Sequence, residues 1–446
     1  MGKYFGTDGV RGKANETLTC EMAYKIGRYL GYYARKNGSS KIVIGKDTRL
    51  SSSMFENILA AGISASGSNA YLIGYCSTPC LAYVAQNDGF DLGVMISASH
   101  NPYYDNGIKV FSNDGVKFKE EELLKVEDYM DNPEGIDYAV QDDIGNIYPY
   151  SEGLDHYKDW IKKIYNKPLN SFKILVDCAN GSNSYIAEDV LKDLGANVTV
   201  INNNPNGINI NNHCGSTHLE SLKENIVKDN YDIGLAFDGD ADRLIAMGPK
   251  GEELNGDYVM YVLSRYLKNH NMLNDNTLVV TGYSNIGLHK ALNKLGIKLD
   301  VVENGDKYVL ESMLNNDYSL GGEQSGHIII KKDCNYGDGL KTALCLLNAL
   351  MEFDYDLYKA IDGLKIYPQL LVNQKVVDKK IVLNDNDIVN KINEIKNKLN
   401  GDGQILVRAS GTEPLIRVMV EAQSEELCHS YVYEVIDLIK EKGYSL

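Results

Sequence analysis

The 446-residue chain has no run approaching the ~18 consecutive apolar residues that a membrane-spanning helix needs. Its start, MGKYFGTDGVRG, lacks an apolar signal core, which predicts a chain that stays in the cytoplasm. Residue 6 is Gly rather than Ser or Thr, so Gly2 does not open a myristoylation signal. Cysteine is sparse: of the eight, only Cys76 and Cys80 are close in sequence, and no second half-site pairs with them for zinc. Cys20, Cys178, Cys214, Cys334, Cys345 and Cys428 are scattered, and most of the cysteines are expected to be small buried hydrophobes in a reducing cytoplasm. Cations are the minority, 45 Lys and Arg against 61 Asp and Glu, for a net charge of -16. That balance disfavours a nucleic-acid partner, which requires a basic face. No segment is of low complexity.

What is present reads as an ordinary globular protein, 43% hydrophobic and 24% charged. The length alone suggests roughly three domains. Met22, Ile26, Leu30 and Tyr33 recur at helical spacing, and Lys41 to Gly45 is strand-like. A helix is predicted to start at the potential N-caps Ser51-Ser52-Ser53, followed by strands at Ala70–Gly74 and Leu92–Ile96. The alternation implies a doubly wound α/β sheet with parallel pairing. It returns twice, with strands at Phe172–Val176, Asn197–Ile201 and Ile233–Phe237, then at Leu278–Thr281 and Leu299–Val302. The last ~80 residues change pattern and read as a small α+β domain. The expected domains are therefore 1–150, 151–252, 253–367 and 368–446. The acidic stretch Glu127 to Asp143 is expected to be a connection before the second unit. Ligands of open α/β sheets sit beyond the carboxyl ends of the strands, so three such ends facing one cleft would build a composite site.

Several glycine-rich stretches, expected to be loops, each carry one cation: Arg11, Lys109, Lys307, Arg408 and Arg417. A local basic cleft on an acidic protein suits a small anion such as a phosphorylated metabolite. Ser99 ends an apolar strand in a turn of small residues, beside His100 and without the G-x-S-x-G elbow of a hydrolase. Asp238, Asp240 and Asp242 alternate after an apolar strand. Three carboxylates at that spacing converge on a hard cation if the chain curves around it. Calcium in an EF-hand-like loop is excluded, since Arg243 stands where Gly is required. All-oxygen ligands and a phosphate partner suit Mg²⁺, with Mn²⁺ as the alternative. Glu323, Ser325 and His327 group polar donors in a glycine turn that could grip sugar hydroxyls. Arg408, Ser410, Gly411, Thr412 and Arg417 combine backbone N–H groups, hydroxyls and guanidinium forks suited to a phosphate monoester. His213, Cys214 and His218 match no common zinc spacing and are expected to form a loop between domains.

Taken in order, Phe5 to Gly12, Gly45 to Arg49, Ile96 to Pro102, Asp105 to Lys109, Asp238 to Arg243, Gly305 to Val309, Gly322 to His327 and Arg408 to Val418 resemble the α-D-phosphohexomutase superfamily nearly end to end. The resemblance implies three α/β units and a C-terminal domain around a central cleft. It implies an isomerase that interconverts glucosamine 6-phosphate and glucosamine 1-phosphate through a phosphoserine and glucosamine 1,6-bisphosphate, feeding UDP-N-acetylglucosamine and cell-wall precursor synthesis. A mutase acting on glucose or mannose phosphates is the alternative. In this reading Ser99 carries the phosphoryl group, with His100 beside it, and Asp238, Asp240 and Asp242 hold one Mg²⁺ against that phosphate. Arg11 and Lys109 take phosphate-stabilising and proton-transferring positions. Arg243, Gly305, Asp306, Lys307, Glu323, Ser325 and His327 contact the sugar side, and Arg408, Ser410, Gly411, Thr412 and Arg417 hold the non-reacting phosphate. Lys307 departs from the family's frequent arginine, which keeps the charge but loses the bidentate fork. The family also allows a homodimer and association with a diadenylate cyclase. Two rivals of other classes are an aspartyl phosphatase with Asp238 as nucleophile, which would leave Ser99 idle, and a non-catalytic sugar-phosphate sensor.

Overall fold

The computed structural model of the chain describes residues 2–6, 8–165, 167–410 and 414–446. Its strands form four sheets in chain order. The first holds β1 (Val10–Lys13), β2 (Lys41–Lys46), β3 (Asn69–Tyr75), β4 (Leu92–Ile96), β5 (Asp105–Ser112) and β6 (Ile147–Pro149), arranged β1-β5-β4-β2-β3-β6. The second holds β7 (Lys173–Asp177), β8 (Asn197–Ile201), β9 (Ile233–Phe237), β10 (Leu244–Met247) and β11 (Glu253–Leu254), arranged β11-β10-β9-β7-β8. The third holds β12 (Thr277–Thr281), β13 (Lys298–Val302), β14 (Leu320–Gly322) and β15 (Ile328–Ile330), arranged β13-β12-β14-β15. The fourth is antiparallel, with β16 (Gln369–Lys375), β17 (Gln404–Ala409) and β18 (Leu415–Glu421) arranged β16-β18-β17.

The apolar runs explain the layering. Side chains alternate across a strand, so Ile42 and Ile44 pack with Phe55 and Leu59 on one face of the first sheet. Val43, between them, packs with Cys80 and Leu81 on the other. Helices thus cover both faces, as a largely parallel sheet requires. The core around Val43 continues without a break through Ile174, Leu235, Leu278 and Leu344, so the first three units form one body. The C-terminal domain has its own core, centred on Val376, Ile395, Val418 and Ile436. Among the described residues no helix is long and apolar enough to cross a membrane.

The first three sheets are mixed rather than purely parallel, and they share one plan. In each, a strand with one parallel neighbour runs into a short loop, and the chain returns as its antiparallel neighbour: β4 to β5, β9 to β10 and β14 to β15. The Ser99, Asp238–Asp242 and Glu323–His327 segments are those three loops.

Four expectations are corrected. The cations lie in regular elements rather than loops: Arg11 in β1, Lys109 in β5, Arg408 in β17, Arg417 in β18 and Lys307 in the Asp306–Asn315 helix. Glycine and polar residues depress strand propensity, yet β5 is paired on both sides. There Gly107 is required, because a Cβ would lie 2.4 Å from the Ser97 carbonyl oxygen. The start of the acidic stretch belongs to the Glu120–Asp131 helix, and beyond the stretch the chain re-enters the first sheet as β6. The His213–His218 segment lies within the second unit, between β8 and the Glu220–Asp229 helix, not between domains. Ser51 precedes its helix without a side-chain cap, and the Ser52 hydroxyl bonds Asp47 instead.

Candidate active site

Ser99 is buried, at 1% exposure, and holds a left-handed backbone with φ 52°. A residue with a Cβ seldom adopts that region, so the surrounding structure must enforce it. The turn directs the Ser99 hydroxyl to donate to Asp238 Oδ2 at 2.6 Å, with His100 Nδ1 at 3.3 Å. The two loops touch through glycine: at Gly239 a Cβ would sit 2.6 Å from the Ser99 carbonyl oxygen. Burial, with repulsion from the Arg243 and Arg11 guanidinium groups, lowers the His100 imidazole to about 4, so it is neutral at pH 7.

Asp238, Asp240 and Asp242 are all buried, and one oxygen from each lies within 4.8 Å of the others. Burial and then the Asp242 and Asp240 charges push the Asp238 carboxyl well above its usual range. Asp240 Oδ2 accepts from the Lys109 ammonium at 2.8 Å and from the Thr78 hydroxyl at 2.6 Å. Asp240 Oδ1 and Asp242 Oδ1 are buried with no hydrogen-bond donor. A buried carboxylate oxygen without a partner is costly. Two of them beside a third buried acid fit a hard divalent cation, which takes oxygen ligands. The His213, Cys214 and His218 set does not form a metal-holding group among the described residues.

The cations line up around the acids. Lys109, at 2% exposure, also reaches Asp8 at 3.1 Å and Asp242 at 3.7 Å. Arg11 pairs with the same Asp8, and Lys117 joins Asp8 Oδ1 at 2.7 Å to Asp306 Oδ2 at 2.5 Å. Burial would raise the Asp8 carboxyl, but Lys109, Lys117 and Arg11 hold it well below the carboxylate range. Arg11 Nε and Arg243 Nε are buried donors without hydrogen-bond acceptors, a chemistry that suits an anionic ligand. The His327 ring lies 3.7 Å from Asp242 and 3.8 Å from Asp306. Burial pulls its pKa down, but the Asp242 carboxylate, with Asp306 and Glu323, raises it to about 9. Burial raises the half-buried Glu323 carboxyl. Ser325 is exposed in the same turn.

A cavity of about 550 Å³ opens beside these groups, lined by Asp8 and Lys109 from the first unit, Asp242 from the second, and Asp306, Lys307 and His327 from the third; Ser99, Asp238 and Asp240 do not line it. Gly305 and Asp306 open the Asp306–Asn315 helix, and Lys307 turns toward Glu120 at 2.6 Å. The C-terminal residues stand outside that cavity. Arg408 Nε donates to the Tyr283 hydroxyl at 2.6 Å, Arg417 Nε is buried with no acceptor, and the Ser410 N–H donates to Leu415 at 2.9 Å. Gly411 and Thr412 lie outside the described residues.

Sequence reasoning did not single out Asp8, Thr78, Lys117, Tyr283, Arg49 or Asn211. Asp8 had a signal, an acid three residues from Arg11 in a glycine turn. Arg49 lies in the Gly45–Arg49 motif, but its grip on the Ser99 loop appears only in the fold; Thr78, Lys117, Tyr283 and Asn211 have partners in other units, and nothing local marks them.

Four family models match in order: phosphoglucomutase/phosphomannomutase alpha/beta/alpha domain I at residues 2–136, domain II at 150–251, domain III at 255–367 and the C-terminal domain at 371–438. The phosphoglucosamine mutase of Lachnospira eligens is 47% identical over 450 residues, covering 100% of both chains. That of Bacillus subtilis is 44% identical over 442 residues, covering 99% of each. Among solved structures, a phosphoglucomutase/phosphomannomutase family protein from Burkholderia thailandensis superposes with TM-score 0.80 at 22% identity, over 98% of this chain and 97% of that one. An Aspergillus fumigatus N-acetylphosphoglucosamine mutase, in complex with GlcNAc-6P and magnesium, does so with TM-score 0.70 at 16% identity, over 98% and 95%. By its four domains and its end-to-end identity to these relatives, the chain belongs to the phosphoglucosamine mutase family of the α-D-phosphohexomutases.

Proposed function

We infer that this chain is an isomerase that interconverts glucosamine 6-phosphate and glucosamine 1-phosphate. The observation that carries the reading is the 2.6 Å contact between the Ser99 hydroxyl and Asp238, inside a cluster of three buried acids ringed by cations. In this reading Ser99 bears the phosphoryl group. The serine phosphate passes to a free sugar hydroxyl, giving glucosamine 1,6-bisphosphate, and the other sugar phosphate then returns to Ser99. The Ser99–O–P bond breaks as the sugar–O–P bond forms, and the proton leaving the sugar hydroxyl is replaced by one delivered to the freed Ser99 oxygen, so the serine ends as a hydroxyl. Phosphoryl transfer is mainly positioning and charge stabilisation. Arg11, Lys109 and Arg243 supply positive charge around the transferring group, and the neutral His100 beside the serine oxygen is placed to handle a proton. Asp238, Asp240 and Asp242 would hold Mg²⁺, which supplies charge stabilisation to the phosphoryl oxygens when bound.

Glu323, Ser325 and His327, with the Gly305–Asp306–Lys307 helix start, form the sugar-facing wall. Arg408, Ser410, Gly411, Thr412 and Arg417 hold the phosphate that does not react. The bisphosphate must turn over without losing a phosphoryl group to water, so the cleft has to close around it. The C-terminal domain, with its separate core, is the element able to swing. A direct test is turnover with glucosamine, glucose and mannose phosphates, each with Mg²⁺ and a trace of sugar bisphosphate, alongside mass analysis of Ser99. Turnover fastest with glucosamine phosphate and an acid-stable phosphate on Ser99 are expected. An acyl phosphate on Asp238 would indicate the hydrolase instead.

A further inference from the structure

The left-handed turn at Ser99 is held by groups that never reach the cleft. Arg49 and Asp47 are buried, at 1% and 0% exposure, and pair through Arg49 Nε and Asp47 Oδ2 at 2.7 Å. A fully buried ion pair is weak support for stability by itself, because desolvating both charges offsets their attraction. Here the remaining donors converge on one loop. Arg49 Nη2 donates to the Ser99 carbonyl at 2.7 Å, and Nη1 donates to the Asp105 carbonyl at 3.1 Å and to that of Pro102. One planar guanidinium therefore holds the beginning, middle and end of the segment between β4 and β5. Asp47 completes the frame. It accepts from the Ser97 hydroxyl at 2.7 Å, whose oxygen in turn accepts from the Ser99 N–H at 2.9 Å. From the second unit, Asn211 Nδ2 donates to the carbonyls of Ser99 at 2.9 Å and Asn101 at 3.1 Å. Both polar ends of the Ser99 backbone are thus fixed, one of them from two units at once.

We propose that Arg49 and Asn211 are positioning residues for Ser99, clamping its carbonyl so that the left-handed turn aims the side-chain oxygen at the metal-binding loop of the neighbouring unit. The proposal rests on Ser99 being the phosphoryl carrier. Arg49 suits the task because its fork reaches three carbonyls in one plane, which a lysine ammonium on a flexible stem does not. Asn211 ties the carrier to the unit that holds the acids, so the two loops keep their spacing when the C-terminal domain moves. Neither residue needs to touch the sugar, so their loss should slow transfer without weakening binding.

The test uses the full chain with Arg49→Lys and, separately, Asn211→Gly. Asn211 itself has φ 56°, which glycine adopts freely. Expected is a kcat lower by roughly tenfold to a hundredfold, the scale of a misplacement near 1 Å, with KM within about threefold of the parent. A folded variant with unchanged kcat, or with a raised KM and unchanged kcat, overturns the proposal. If Arg49→Lys does not fold, Asn211→Gly decides. Mass analysis of the parent separates the two levels. If Ser99 never carries phosphate and Ser99→Ala keeps turnover, the carrier reading fails and takes the clamp with it. If the parent carries the phosphate and both variants turn over normally, only the clamp fails.

Discussion

Arg408 and Arg417 stand directly opposite each other on β17 and β18, two guanidinium groups on one face of an antiparallel pair. Like charges in that position repel, by about 0.2–1 kcal/mol. Tyr283 takes one Nε and nothing takes the other. An arrangement that costs stability and leaves a buried donor open fits a bound dianion. Arg417→Ala should therefore raise KM for the phosphosugar about tenfold or more, change kcat far less, and leave the melting temperature equal or slightly higher. Steady-state kinetics and a thermal melt check this together. An unchanged KM would remove the anion clamp from the site.

Ser99→Ala should abolish turnover while preserving phosphosugar affinity, since the proposed phosphate grip lies in another domain. Calorimetric titration of the variant measures the second half. Near-normal turnover would mean that another group carries the phosphate.

The unsatisfied oxygens of Asp240 and Asp242 predict a metal effect on stability as well as on rate. Mg²⁺ at about a hundred times its dissociation constant should stabilise the fold by about 2.7 kcal/mol, read as a higher melting temperature. Asp240→Asn should lose most of that gain. Chelation should stop turnover and added Mg²⁺ should restore it. Full activity in excess EDTA would contradict the site.

A pH effect should come from the junction of the third unit and the C-terminal domain. Glu421 is buried, accepts from the Ile286 N–H at 2.9 Å and from Gln369 at 2.9 Å, and its carboxyl is raised to about 8 by burial and then by Asp257. Asp257 is itself raised to about 6 by burial. A carboxyl whose folded value exceeds its unfolded value, near 4.3, favours folding when protonated. Its contribution is full below that value and is lost as pH rises toward about 8. Melting temperatures should fall between pH 5 and pH 8.5, and Glu421→Gln should flatten the slope. An identical slope in the variant would exclude Glu421 as the source.

Much of this protein was legible along the chain. The strands Leu92–Ile96, Asn197–Ile201 and Ile233–Phe237 have the predicted bounds, because a run of apolar residues cut off by polar ones is a local signal. The acid triad and the paired arginines were legible for the same reason, since each motif is only a few residues long. β5 was missed because glycine and charge mask a strand whose neighbours at Ile108 are Val10, 98 residues earlier, and Ile96, 12 residues earlier. Lys117 reaching Asp306, and Asn211 holding Ser99, were likewise beyond reach, for those partners lie in other units.

By itself the sequence determined which residue types could do chemistry, where each unit begins its alternation, and which superfamily the motifs resemble. Those properties depend on side-chain identity and short-range periodicity. Only the tertiary structure decided that Ser99 turns left-handed onto Asp238, that Lys109 is a buried strand residue shared by three acids, and that Arg49 closes the loop. Each of those outcomes is a balance of burial against charge, fixed by groups that meet only after the units pack.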